Sequence, residues 1–299
     1  MATLVNVDGA LVEPSRATVS VFDRGFLYGD SVYEVVRTYG GRTFELDAHL
    51  ARLAHSAERI GLALPWDARR TAAELARTLE AARGGDVPDP EAAPWNVDEQ
   101  YARILVTRGA GELGLDPALA VDPKAIVIVQ PLRGPPARAY AEGVKATVVG
   151  VERNSPRAVD PSAKTGAHLN HVLAVREARA SGAYEALLLD EHGFVTEGSS
   201  SNVFAVRAGC LRTPPLAAGI LEGVTRGIVL ALARASSIPA DEVPMRPDDL
   251  AAADEIFITS TVREIVPVTR LGERVVGGGR PGEVTRRLHA EFRRRAGPR

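Results

Sequence analysis

Residues 185–207 read Glu185-Ala-Leu-Leu-Leu-Asp-Glu-His-Gly-Phe-Val-Thr-Glu-Gly-Ser-Ser-Ser-Asn-Val-Phe-Ala-Val-Arg207. Two apolar, strand-favouring runs, Glu185–Asp190 and Asn202–Arg207, are separated by the turn residues Glu191-His-Gly193 and the small polar run Thr196–Asn202. Strands joined by turns and helices kept in separate blocks predict an α+β fold, not a regular alternation of strand and helix. Upstream, a strand is expected over Gly143–Val151, then a long loop reaching Lys164 and a helix over Asn170–Ser181. Downstream, a helix over Thr225–Ser236, a strand over Glu255–Thr259 and a C-terminal helix from about Gly282 complete the second half.

The first half is expected to carry strands over Ala17–Phe22 and Ser31–Tyr39, the second ending at the turn Gly40-Gly41 before Thr43–Leu46. Helices follow over Asp47–Ile60, with Asp47 as N-cap, and over Asp67–Arg83, stopping at Gly84-Gly85. A proline-rich segment, Val87–Trp95, precedes strands over Tyr101–Thr107 and Ala125–Gln130. Arg133-Gly-Pro-Pro-Ala-Arg138 resists both helix and strand. A linker is therefore expected over 133–140, between domains spanning 1–132 and 141–299. No internal repeat is visible.

The 299 residues suffice for one large or two smaller domains. A charge of −2 points to neither nucleic acid nor a membrane surface. The arginine-rich tail 286–299 reads as a solvated helix end. One cysteine, Cys210, excludes an intrachain disulfide framework and fits a reducing compartment. No basic, then apolar, leader opens the chain and no apolar run reaches membrane-spanning length, so a soluble, cytoplasmic protein is expected.

Of the 36 basic residues only Lys124, Lys145 and Lys164 are lysines. Arginine stays protonated, whereas a lysine can lose its proton and attack a carbonyl. Lys164 lies in Pro161-Ser-Ala-Lys-Thr-Gly-Ala-His-Leu-Asn170, a polar turn leading into a helix pattern. Gly109-Ala-Gly-Glu-Leu-Gly114 has the glycine spacing of a dinucleotide fingerprint, but Leu115-Asp116-Pro117 follows where a helix must open. Three other segments belong together. Thr196–Asn202 sets a carboxylate in a turn, Leu221-Glu-Gly-Val-Thr-Arg226 opens a helix whose free N–H groups suit a phosphate, and Phe257–Glu264 ends a strand in three hydroxyls. With a strategic lysine they describe a cofactor carrying a phosphate, a carbonyl and a basic ring nitrogen, and pyridoxal 5′-phosphate (PLP) has all three.

From Phe22-Asp-Arg-Gly-Phe-Leu-Tyr-Gly-Asp30 to Ile265-Val-Pro-Val268 the chain resembles the fold-type IV PLP enzymes. That family includes branched-chain aminotransferases, D-amino-acid aminotransferases and aminodeoxychorismate lyases. The resemblance implies a small N-terminal α/β domain and a larger C-terminal domain with a pseudo-barrel β core. It implies that Lys164 is the Schiff-base lysine and catalytic base, and that Glu197 keeps the pyridine nitrogen protonated. Arg52, Val224, Thr225 and Thr261 would hold the phosphate. Substrate contact would fall to Tyr33, Arg37, Tyr101, Arg103, Thr261 and Val262. A homodimer, an amino acid and a 2-oxo acid as substrates, and ping-pong transfer follow from the same likeness.

Within the family, Tyr101-Ala-Arg103 and Val106–Pro117 resemble the branched-chain enzymes, and the Arg-x-His carboxylate trap of the D-amino-acid enzymes is missing. Val35 and Leu169 match the D-amino-acid group instead. Arg263 would set a cation beside the substrate carboxylate, favouring a dicarboxylate or another binding pose. His168 and His171 lack a third ligand, so no metal is expected. A branched-chain-type L-amino-acid aminotransferase is the first reading. A D-amino-acid aminotransferase with a non-standard carboxylate site is next, then aminodeoxychorismate lyase or an amine transaminase.

Overall fold

A computed structural model describes residues 2–83 and 91–297. The chain folds as two units, Met1–Arg133 with Ala163–His168, and Gly134–Ser162 with Leu169–Pro298. The segment carrying Lys164 therefore packs with the first unit, although its position in the chain falls inside the expected second domain.

The first unit contains β1 (Leu4–Val7), β2 (Ala10–Val12), α1 (Arg24–Tyr28), β3 (Ser31–Tyr39), β4 (Arg42–Thr43), α2 (Leu46–Arg59), α3 (Ala68–Ala81), β5 (Gln100–Thr107) and β6 (Lys124–Pro131). Its six-stranded sheet has the order β2-β1-β6-β5-β3-β4, every pair antiparallel. Period-2 alternation sends Val32, Val36, Ala102, Ile104, Val106, Val127 and Val129 to one face, where they meet Leu50, Leu53, Leu75 and Leu79 of α2 and α3. The opposite face carries Tyr33, Val35 and Arg37 beside their partners Leu105, Arg103 and Tyr101. β4 is so short that Ser31–Tyr33 would be an open edge. Residues 164–166 fill it: Tyr33 N donates to Lys164 O, Gly166 N donates to Ser31 O, and Val32 bridges Thr165.

Several expectations are corrected. Ala17–Phe22 is not a strand; Val21 and Phe22 face outward with no sheet partner. The edge of the sheet is instead the hairpin β1–β2, whose Asp8 and Gly9 both take positive φ, the turn that an Asp-Gly pair favours. α2 is capped by Glu45 in left-handed conformation, with Asp47 in its first turn, where a negative charge suits the helix dipole. α3 begins beside its expected start, with Asp67 as its N-cap accepting from Arg70 N. Gly84-Gly85 and part of the proline-rich segment lie outside the described residues.

The glycine motif 109–114 has a local cause. A Cβ at Gly109 would stand 1.9 Å from the carbonyl oxygen of Asp122, and one at Gly111 2.2 Å from that of Leu119. The glycines let two stretches of backbone pass each other, and no helix follows to receive a pyrophosphate.

The second unit contains α4 (Ala137–Ala141), β7 (Val144–Val148), α5 (Leu169–Ala180), β8 (Glu185–Leu189), β9 (Val195–Gly198), β10 (Asn202–Arg207), β11 (Cys210–Thr213), α6 (Val224–Ala235), β12 (Ala240–Glu242), α7 (Pro247–Ala251), β13 (Glu255–Ser260), β14 (Glu264–Leu271), β15 (Arg274–Val275) and α8 (Glu283–Ala296). α4 occupies the expected linker, because Pro136 at its N-cap does not interrupt a helix that begins after it. The sheet runs β12-β11-β10-β13-β14-β7-β8-β9, with β15 on β14. It is mixed: β7 pairs parallel with β8 and β14, β11 with β12, and the other pairs are antiparallel. β9 ends this path, yet only three residues separate it from β10, so the sheet curls to bring them together. β14 contains Pro267, a residue that argues against a strand in the sequence. No helix among the described residues is long and apolar enough to cross a membrane.

Candidate active site

In the first unit the lysine segment is fixed at its backbone and open at its tip. Lys164 O accepts from Tyr33 N, and Lys164 N donates to Ser56 Oγ at 3.0 Å. Ser56 in turn donates to Arg52 O. Lys124 pairs with Asp8 and Asp122, and Lys145 with Glu273. Among the described residues the Lys164 Nζ has neither an ion pair nor a hydrogen bond; it lies 4.5 Å from the Tyr33 ring centroid. The same ring takes the Arg103 guanidinium at 4.1 Å and the edge of His168 at 4.9 Å. An amine with no carboxylate beside it keeps its nucleophilic option.

Tyr101, Arg103, Tyr33 and Val35 share one face of the sheet through the β3–β5 register. Burial raises the Tyr101 phenol above its ordinary range, partly offset by its hydrogen bond to Arg103. Arg37, on the same face, is otherwise occupied. It is fully buried, donates to Asn96 Oδ1, Trp95 O and Thr38 O, and stacks on Tyr39 at 4.0 Å. The geometry gives Arg37 a structural role, where substrate contact was expected.

Arg52 is held by Glu34, its Nε on Oε1 at 2.6 Å and its Nη2 on Oε2 at 2.9 Å. His49 Nδ1 lies 2.7 Å from the same carboxylate. Burial would raise the Glu34 pKa, but Arg52 and His49 outweigh it and hold the group at about 2. Glu34, His49 and Ser56 were not singled out in the sequence, although the spacing His49, Arg52, Ser56 puts them on one helical face.

In the second unit Glu197 sits at the end of β9, buried, with Oε1 on Arg153 Nε at 3.0 Å and Oε2 accepting from Leu221 N at 3.1 Å. Arg153, from the long loop after β7, is a partner that the sequence reading missed; a buried carboxylate requires one. Val224 and Thr225 form the first turn of α6 behind Gly223, an N-cap without a side chain to satisfy the turn's N–H groups. A Cβ at Gly223 would stand 2.0 Å from Asn202 Oδ1, so a larger residue there would require the Asn202 side chain to shift. Thr261 and Val262 lie half-buried in the turn between β13 and β14. Thr259 Oγ1 on β13 is buried with no partner.

Arg263 is not available to a dicarboxylate. Its Nη1 meets Glu185 Oε2 at 2.6 Å, and its Nη2 donates to Ser200 O at 2.8 Å. Among the described residues no three His, Cys, Asp or Glu side chains are grouped to hold a metal.

Against the chemistry of PLP the donor sets fit. The first unit offers an unpaired amine for the aldehyde. The second offers a buried, paired carboxylate for a protonated ring nitrogen, a helix start with uncapped N–H groups for a phosphate, and an orphaned buried hydroxyl.

The amino-transferase class IV family model matches residues 31–271. A Methanocaldococcus jannaschii protein provisionally named a branched-chain-amino-acid aminotransferase is 38% identical over 97% of this chain and 95% of its own length. The D-alanine aminotransferase of Bacillus licheniformis is 32% identical over 94% of this chain and 93% of its own. The branched-chain aminotransferase of the archaeon Thermoproteus uzoniensis, solved with norvaline, superposes with a TM-score of 0.87 at 32% identity, covering 98% of this chain and 94% of that one. A second solved branched-chain enzyme, with a TM-score of 0.88 at 29% identity, holds pyridoxamine 5′-phosphate. Matched over nearly its whole length by such relatives, the chain belongs to the class IV aminotransferases and is a PLP-dependent transferase of fold-type IV.

Proposed function

We propose that the enzyme moves an amino group between a branched-chain-type L-amino acid and a 2-oxo acid, with Lys164 as its catalytic base. The observation that carries the reading is the Lys164 Nζ, the one lysine amine without an ion pair among the described residues. PLP, when bound, supplies an electron sink for negative charge developing at the substrate α-carbon. Glu197 would hold the proton on the ring nitrogen, and Arg153, paired with that carboxylate, orients it. Val224, Thr225 and Thr261 would hold the phosphate, with Arg52 as a further ligand whose direction is set by Glu34. The Lys164 amine takes the α-proton and returns it. Backbone bonds to Tyr33 and Ser56 anchor the residue that carries it. Tyr101 and Arg103 would receive the substrate carboxylate, with the amides near Thr261 and Val262, and Tyr33 and Val35 would limit the side chain.

Replacement by Lys164→Ala is expected to abolish the visible absorbance and the borohydride-fixable attachment of PLP. A colourless wild-type protein after incubation with PLP would sink the reading. Half-reactions with L-leucine, D-alanine and (R)-phenylethylamine test the substrate class, and only L-leucine is expected to bleach the band. Bleaching by D-alanine alone would favour the second reading, a D-amino-acid aminotransferase. Val35, Leu169 and the Bacillus licheniformis relative support that alternative.

We also assign a homodimer and a cytoplasmic setting. Val21, Phe22, Phe26, Leu113 and Leu115 are exposed, and Arg24 joins their two loops by donating to Gly114 O and Leu115 O. Such an apolar face suits a second copy of this chain.

A further inference from the structure

We propose that Arg263 is a positioning residue that locks the spacing between the phosphate end and the ring-nitrogen end of the cofactor site. The proposal rests on the reading that Thr261 serves the phosphate and Glu197 the ring nitrogen.

Two turns meet at one end of the sheet, because Asn202 pairs with Thr259 on adjacent strands. One turn, Ser199–Ser201, follows directly from Glu197 and Gly198. The other, Thr261–Arg263, carries Thr261 and Val262. Glu185, from β8 beside β9, organises the first turn. Its carboxylate accepts from Ser199 N at 3.1 Å, from Ser199 Oγ, and from Ser201 Oγ at 2.9 Å. Gly198 permits that crowding, since a Cβ there would stand 2.2 Å from Ser201 Oγ.

Arg263 joins the second turn to the first. Nη1 meets Glu185 at 2.6 Å, Nη2 meets the carbonyl and hydroxyl of Ser200 at 2.8 and 2.6 Å, and Nε meets Ser260 Oγ at 3.2 Å. The Arg263 carbonyl accepts from Tyr140 Oη at 3.1 Å, and the next residue, Glu264, takes a left-handed conformation and pairs its carboxylate with His289 and Arg293 of α8. The second turn is thus anchored on both sides, and the guanidinium ties it to the turn beside Glu197. A planar fork can hold two acceptors at fixed directions, and an ammonium cannot. A rigid ligand that spans phosphate and ring nitrogen needs those two anchors at a constant separation.

The test compares PLP with pyridoxal, which lacks the phosphate, in titrations of the apoenzyme of wild type, Arg263→Ala and Arg263→Lys. Arg263→Ala is expected to weaken PLP binding about tenfold while pyridoxal affinity stays at the parent value, since a loosened turn costs the phosphate its ligand geometry. Arg263→Lys, which keeps the charge beside Glu185 without the fork, is expected to lie between, and it carries the same comparison if the alanine variant does not fold. A general structural defect lowers both affinities together, and that result, or an unchanged PLP affinity, overturns the proposal. Lys164→Ala separates the two failures. If it retains a borohydride-fixable linkage, the underlying site assignment fails; if it loses the linkage while Arg263→Ala keeps the PLP-to-pyridoxal ratio, only the positioning role fails.

Discussion

Glu34 is one side chain through which the acid limb of this protein's stability can be traced. The carboxylate is sealed, yet Arg52 and His49 hold it at about 2 in place of its ordinary 4.5. Its folded pKa is depressed, so its contribution is complete above about 4.5 and is lost as pH falls through 2. On that shift the share is about 3 kcal/mol at neutral pH. Glu34→Gln is expected to lower the unfolding free energy at pH 7 and to flatten its dependence between pH 4.5 and 2. Denaturant melts across that range check it, and an unchanged slope would count against the assignment. The sequence showed Glu34 only as a letter between Tyr33 and Val35. Lys164 was visible for a different reason: its scarcity among arginines marks it, whereas one glutamate among many acidic residues marks nothing. Arg263 stood out as a cation in an unexpected place, but only the position of Glu185 shows that its charge is spent internally.

At the scale of elements, period-2 and helical patterns located the long pieces, and turn geometry decided the rest. β3 and β10 follow their expected bounds because both are rich in β-branched and aromatic residues and lie between turns. β9 and β14 escaped, one because Glu197 and Gly198 look like turn residues, the other because Pro267 looks like a breaker. Ala17–Phe22 has strand composition without a partner, which composition cannot register. The glycine motif shows the same limit: its spacing suggested a nucleotide, and its cause is two backbones in close passage. Gly111→Ala would drive a methyl against the Leu119 carbonyl. It is expected to destabilise the protein by about 2 kcal/mol, seen as a lowered Tm. A change confined to a few tenths would mean that the 116–123 loop yields easily.

For the whole molecule, the exposed apolar residues of the 17–28 and 113–115 loops carry the expectation of a dimer. Phe26→Glu with Leu115→Glu is expected to convert the dimer to a monomer in size-exclusion chromatography with light scattering, while a dimer surviving both charges would move the interface elsewhere. The placement of the lysine segment has a separate consequence, one of timing. During synthesis β3 is complete once residue 39 emerges, but the segment that covers its Ser31–Tyr33 edge is not made until residues 164–166. More than a hundred residues of the chain are translated while that edge lacks its partner, an interval in which an unpaired strand can recruit the wrong neighbour. The segment that carries Lys164 is thus also the last piece that closes the N-terminal sheet, so a nascent chain that fails to install it leaves a sticky edge exposed.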